Sequence, residues 1–196
     1  MRKPLLTTLA LLVLLCAPCA AAPADEEAGE VPFTFEKGYV IVAGKIKGRE
    51  PVEFIVSTGD TNSSVNLGVV ERYKLTMYYT GVGRVTGFND KTVSFATLPD
   101  VSVGPAAATS INARLSSTAE VSKLLGREIF GTLGYDFFRG RTVQLDFGKK
   151  VMRFLDKGAA GGERLGAGGA LAGTAFLQNF VATFDFRGKA VVLERL

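Results

Sequence analysis

"FIVSTGDTNSSVN", residues 54–66, decides how this chain is read. Phe54, Ile55 and Val56 are residues that favour strands, and they run straight into Ser57-Thr58-Gly59 and a string of small polar residues. That pattern predicts a buried strand ending in a tight polar turn. Working outward, "YVIVAGKIKG" (39–48) and "VEFIVSTG" (52–59) read as two antiparallel strands joined around Gly48-Arg49-Glu50-Pro51. "NLGVVERYKL" (66–75) is either a short helix or a further strand. "GVGRVTGF" (81–88) is a glycine-punctuated hairpin, expected to be mobile. "VSFATLPDVSVG" (93–104) gives two strands broken at Pro99, and "AEVSKLLG" (119–126) is a brief helix or loop.

The two ends of the chain read differently. Arg2 and Lys3 precede an apolar run from Leu5 to Leu15 and then small residues, so residues 1–24 have the three regions of a secretory signal, with cleavage expected after Ala24. That run is too short to span a bilayer, and no other stretch is long and apolar enough. Leu15 and Pro18 are poor residues to precede a lipid-bearing Cys16 or Cys19. Residues 25–30 form a short acidic leader. The C-terminal part contains an internal repeat. "GYDFFRGRTVQLDFGKKVMRFL" begins at Gly134 and "GTAFLQNFVATFDFRGKAVVLERL" at Gly173; they share Gly134/Gly173, Phe137/Phe176, Asp146/Asp185, Phe147/Phe186 and Lys150/Lys189. Each copy predicts a short helix followed by a β-hairpin turning at Gly148 or Gly188. A glycine-rich linker, residues 158–170, lies between them.

Composition excludes several chemistries. The chain has no histidine, and both of its cysteines, Cys16 and Cys19, fall in the leader. Ser-His and Cys-His catalysis are therefore excluded, as are histidine or thiolate metal sites. No carboxylates fall at a recognisable metal-ligand spacing, so neither a metal nor a cofactor is expected. The formal charge of +4 falls to +2 once Arg2 and Lys3 are removed, and no basic block marks a nucleic-acid surface. "GVGRVTG" and "GAGGALAG" echo phosphate loops, but neither follows a strand and opens a long helix. Asp136, Asp146 and Asp185 read as cap and turn residues.

Residues 31 to about 155 resemble the retropepsin-like aspartyl proteases of bacteria. The segment 31–59 is similar to that family's N-terminal hairpin leading to its Asp-Thr-Gly turn. The glycine-rich 81–88 sits where the family has its flap, "TLPDVSVG" (97–104) resembles the strand after it, and "IFGTLGYDFF" (129–138) resembles the apolar-apolar-Gly strand and following helix. The resemblance implies an all-β closed acid-protease lobe with one or two short helices, spanning residues 31–157, with residues 171–196 as a duplicated helix-hairpin packed on it. It also implies that Gly81, Gly83 and Gly87 contact substrate, that Thr58 locks paired turns together, and that Gly59 permits the bend.

The departure is Ser57. The family's chemistry pairs two turn carboxylates that share one proton, one acting as base and the other as acid. A serine hydroxyl is not ionised near neutral pH, and no histidine is present to activate it. Asp60, three residues on, is the sole nearby substitute, and a shift of that size in a tight turn aims its carboxylate elsewhere; its other reading is a turn-stabilising residue. The expectation is a secreted or periplasmic aspartyl-protease-like protein without catalytic residues, whose degenerate site is Ser57, Thr58 and Gly59, holding an extended peptide or a protein partner. The alternatives are a weakly active or partner-dependent endopeptidase using Asp60, and a purely structural envelope module. A monomer is favoured over a homodimer, with the repeat covering the edge through which lobes of this kind pair.

Overall fold

A computed structural model describes residues 29–85, 88–156, 163–165 and 173–196, with backbone only for 79–85, 88–93 and 163–165. The signal segment and most of the 158–170 linker lie outside the described residues. The strands and short helices follow in order: β1 (Glu30–Glu36), β2 (Tyr39–Ile46), β3 (Val52–Val56), β4 (Ser64–Val65), α1 (Leu67–Tyr73), β5 (Met77–Val85), β6 (Phe88–Val103), β7 (Ala106–Leu115), α2 (Ala119–Leu125), β8 (Gly131–Leu133), α3 (Tyr135–Phe138), β9 (Thr142–Asp146), β10 (Val151–Leu155), β11 (Glu163–Leu165), α4 (Thr174–Leu177), β12 (Phe180–Asp185) and β13 (Ala190–Arg195).

One sheet connects all the strands in the order β11-β13-β12-β9-β10-β1-β2-β3-β8-β4-β7-β6-β5, and an additional β2–β6 pairing closes the ring β2-β3-β8-β4-β7-β6 into a barrel. Most neighbours are antiparallel, but β3 runs parallel to β8 and β4 parallel to β7. Alternation decides which side chains fill the barrel. In β2, Val40, Val42 and Ile46 are buried, and they join Phe54, Val65, Leu98, Val101, Leu133, Phe137 and Phe138 in one core. A smaller cluster of Ile41, Ile55, Leu125 and Ile129 lies where α2 covers the opposite face of β2 and β3.

The structure settles or revises several local expectations. Residues 66–75 contain a helix, not a strand: the Asn66 side chain accepts from the Val69 N–H as its N-cap, and Lys74 closes it in the left-handed region (φ 51°). Pro99 does not divide residues 93–104. β6 runs through it as a single 16-residue strand, and the bend falls at Asp100 (φ 47°), whose carbonyl accepts from Lys47 N at 3.1 Å. A proline costs a ladder bond only if its N–H position was needed, and here Pro99 still pairs opposite Ser110. β1 begins at Glu30, the last residue of the acidic leader, which forms an ion pair with Arg153. The linker contributes β11, because the outer edge of β13 offers backbone partners to residues 163–165.

Candidate functional site

β3 delivers the turn at residues 57–63 at its C-terminal end. Ser57 N donates to Leu133 O at 2.9 Å, which extends the β3–β8 pairing by one bond. Beyond it the chain is pinned twice by the strand-to-helix corner that follows β8. Tyr135 N donates to Asp60 O at 2.7 Å. The Asp136 carboxylate accepts from Ser63 N through both oxygens at 2.9 Å, from Ser63 Oγ at 2.5 Å and from Phe137 N at 2.9 Å. Ser63 Oγ in turn accepts from Gly134 N at 3.0 Å. Ser63 is 1% exposed, so these bonds form away from bulk water, where an unmade one is costly.

Both glycines of "GTLG" are required by this corner. A Cβ on Gly131 would sit 1.9 Å from Ser64 O. One on Gly134 would sit 2.7 Å and 2.8 Å from Asn62 C and O and 2.9 Å from Asp60 O. Gly59, by contrast, has open space around it. Here the turn and the corner touch backbone to backbone.

What the turn presents is small and uncharged at its first position. Ser57 and Thr58 are half-buried, and Gly59 and Asp60 are exposed. The Asp60 side chain makes no hydrogen bond or ion pair among the described residues, so it does not stabilise the turn in the Asx manner; its backbone carbonyl does the anchoring. Asp146 and Asp185 are turn residues: Asp146 accepts from Lys149 N at 2.9 Å, and Asp185 from Arg187 N at 3.1 Å and Gly188 N at 2.7 Å; Asp136 is not the cap of α3, which is Gly134, and its carboxylate holds the distant Ser63 instead. The residue the sequence reading passed over is Ser63. It lies 73 positions from Asp136, and a serine among neighbouring small polar residues gives no local signal of such a partner.

Behind the corner, Arg141 donates to the carbonyls of Phe137 and Ala107, and its guanidinium lies 5.3 Å from the centre of the Phe137 ring. Burial lowers its pKa, yet a guanidinium stays charged at any ordinary pH. Burial also works against the charge of Arg153, but Glu30 and Asp146 outweigh it and the net shift is upward.

Of the three glycines expected to contact substrate, Gly81 and Gly83 lie within β5 and not at a hairpin tip, with register shifts on either side of Gly83; Gly87 lies outside the described residues. The arms of this hairpin, β5 and β6, are longer than residues 81–88, and β5 is the edge strand of the sheet. A separate cleft of about 570 Å³ is lined by Asn66, Leu67, Leu115, Ser117, Thr118 and Glu128, among others, but by none of residues 57–60. Among the described residues no group of three or more His, Cys, Asp or Glu could hold a metal, and no helix is long and apolar enough to cross a membrane.

No family model matches the chain, and no curated protein matches it. A solved structure of a retropepsin-like aspartic protease from Rickettsia conorii aligns with 64% of this chain and 89% of its own length, at 14% identity and a TM-score of 0.46.

Proposed function

We propose that this chain is an aspartyl-protease-like lobe that has lost its reactive carboxylate and holds an extended peptide without cutting it. The observation that carries the reading is the turn itself. Its backbone is fixed by the Asp136–Ser63 clamp and by two glycine contacts, yet its leading side chain is the hydroxyl of Ser57. A scaffold held this firmly suits a surface that must keep its shape, while a hydroxyl with no base beside it has no route to activate water. β5 supplies a second element. As an edge strand of the sheet, it can take an extended peptide by strand addition. The signal-like pattern of residues 1–24 is what supports reading this binding as periplasmic or extracellular.

The test is peptide binding by the full-length protein. Display panning with random extended peptides should yield ligands that bind equally well to Ser57→Ala. Their affinity should fall by at least tenfold when alternate backbone amides are N-methylated, because strand addition uses main-chain donors. Panning that yields no ligand, or ligands indifferent to N-methylation, would favour the structural-module reading instead.

A further inference from the structure

A run of aromatic rings leads from the core to the corner that holds the Ser57 turn. Phe138 and Phe184 are buried members of the core. Phe186, at the end of β12, stacks on Phe138 at 5.8 Å and on Phe184 at 6.3 Å, with interplanar angles of 13° and 18°. Tyr135 leans on Phe186 in turn, with ring centres 5.7 Å apart. Exposure rises along the run: Phe138 is sealed from solvent, Phe186 is half-buried and Tyr135 is 38% exposed. Tyr135 N also donates to Asp60 O, so the run ends against the turn. Core packing accounts for Phe186. It does not account for Tyr135, whose phenol makes no hydrogen bond among the described residues and faces water.

Cations gather at the exposed end of this run. Arg139 follows α3, and its backbone N–H donates to Tyr135 O at 2.7 Å. Arg187 adjoins Phe186, and its guanidinium reaches Gly140 O at 3.5 Å, next to Arg139 in the chain. Lys189 closes the same hairpin turn in the left-handed region (φ 52°). All three side chains belong to exposed residues, and none forms an ion pair among the described residues. The neighbouring carboxylates do not neutralise them. Asp136 is taken up by Ser63 and Phe137 N, and Asp185 by Arg187 N and Gly188 N.

We propose that Tyr135 and Phe186 form an aromatic shelf beside the turn, which takes an aromatic side chain of an acidic peptide while the peptide's carboxylates meet Arg139, Arg187 and Lys189. This rests on the peptide-holding reading above and names the class of sequence selected. A ring laid on an exposed tyrosine gains apolar contact and a favourable ring–ring geometry at small cost in side-chain entropy. A guanidinium with no partner offers a carboxylate a forked pair of donors. Asp60, exposed on the turn side, disfavours a second carboxylate there, so the acidic end of the peptide points toward the arginines. The C-terminal repeat thereby has a role at the site: it supplies Phe186, Arg187 and Lys189.

The test titrates N-acetyl-Ala-Phe-Glu-Glu-amide into the full-length protein and follows backbone amides by proton–nitrogen correlation spectra. The amides of Tyr135 and Phe186 should shift and saturate. The Ala-Leu-Glu-Glu analogue should bind about threefold more weakly and the Ala-Phe-Lys-Lys analogue about tenfold more weakly. Tyr135→Ser keeps the backbone bond to Asp60 and should weaken binding about fivefold, whereas Tyr135→Phe should leave it unchanged. Arg139→Gln/Arg187→Gln should abolish the preference for glutamate over lysine and keep that for phenylalanine over leucine. Equal binding of the three peptides, or no saturable shift at Tyr135 and Phe186, overturns the proposal. Failure of the shelf and failure of strand addition are told apart by the panned ligands. Ligands that depend on backbone amides but bind Tyr135→Ser as they bind wild type refute the shelf and leave strand addition standing. Saturable, glutamate-selective binding at Tyr135 without any panned ligand supports the shelf and removes strand addition. Sedimentation with phosphatidylglycerol vesicles that is lost in Tyr135→Ser, with no response to the peptides, would make the patch a membrane contact and overturn the proposal.

Discussion

Asp136→Ala removes the acceptor that holds the turn at residues 57–63 in place. Four hydrogen bonds converge on that carboxylate: two from Ser63 N, one from Ser63 Oγ and one from Phe137 N. A hydrogen bond to a charged group contributes about 1.5–3 kcal/mol. The two oxygens share one Ser63 donor, and Asp136 itself is partly exposed, so the terms do not add in full. The donors left behind differ in weight. Phe137 N also has the Gly134 carbonyl at 3.1 Å, whereas Ser63 N and Oγ lie in a residue 1% exposed and lose their acceptor. A loss of about 3 kcal/mol follows, a large part of the ~5–15 kcal/mol that holds a domain together. Asp136→Asn keeps one acceptor oxygen and should cost about 1–2 kcal/mol. The assay is urea unfolding followed by far-ultraviolet circular dichroism, since the chain has no tryptophan to report by fluorescence. With a slope of about 2 kcal/mol per molar, the midpoint of Asp136→Ala should fall by roughly 1.5 M with the slope unchanged. A fall below about 0.25 M, or Asn costing as much as Ala, would refute the clamp.

Further expectations follow from the same geometry. Gly134→Ala should destabilise by about 1–3 kcal/mol, because its Cβ meets loop backbone that cannot step aside, while Gly59→Ala should stay within about 0.5 kcal/mol of wild type by the same urea measurement. Arg127 joins Glu36 at 2.8 Å and Glu53 at 3.2 Å on a surface about one-third exposed, so Arg127→Ala should cost about 0.5–1 kcal/mol at low salt and less at high salt. Amide exchange in β5 should be faster than in β3, since β5 has a single neighbour and two register shifts; equal protection would remove β5 as an opening edge.

Much of this fold was legible because its strands are local and strongly patterned. Tyr39 to Val56 alternates clearly and turns at Lys47-Gly48, one residue earlier than the Gly48–Pro51 expectation, since both residues take positive φ and Arg49 N closes the turn onto Ile46 O at 3.1 Å. Asn66 sits immediately before α1, yet apolar residues at 69 and 70 suit helix and strand equally, so only the cap bond distinguishes them. The course of β6 through Pro99 was not legible, because a proline inside a strand pattern reads as a break, whereas the bend is carried by Asp100, one of the residue types that tolerate the left-handed region. At the site, the turn could be read from Ser57-Thr58-Gly59, but the clamp could not. It joins residues 73 positions apart, and nothing near Ser63 or Asp136 in the chain announces the other. The glycines at 131 and 134 could be noticed in sequence, while the reason for them, a loop pressing within 3 Å of where their side chains would be, exists only in three dimensions.

The most direct test of the central claim is proteolysis by the purified full-length protein, measured on an unfolded protein substrate from acid to neutral pH, alongside Asp60→Ala. The account predicts no cleavage by either protein at any pH, because Ser57 offers no base and the exposed Asp60 side chain has no hydrogen-bond or ion-pair partner among the described residues. Cleavage by the wild type that is blocked by pepstatin and lost in Asp60→Ala would contradict it, and would make Asp60 the working carboxylate of an active enzyme.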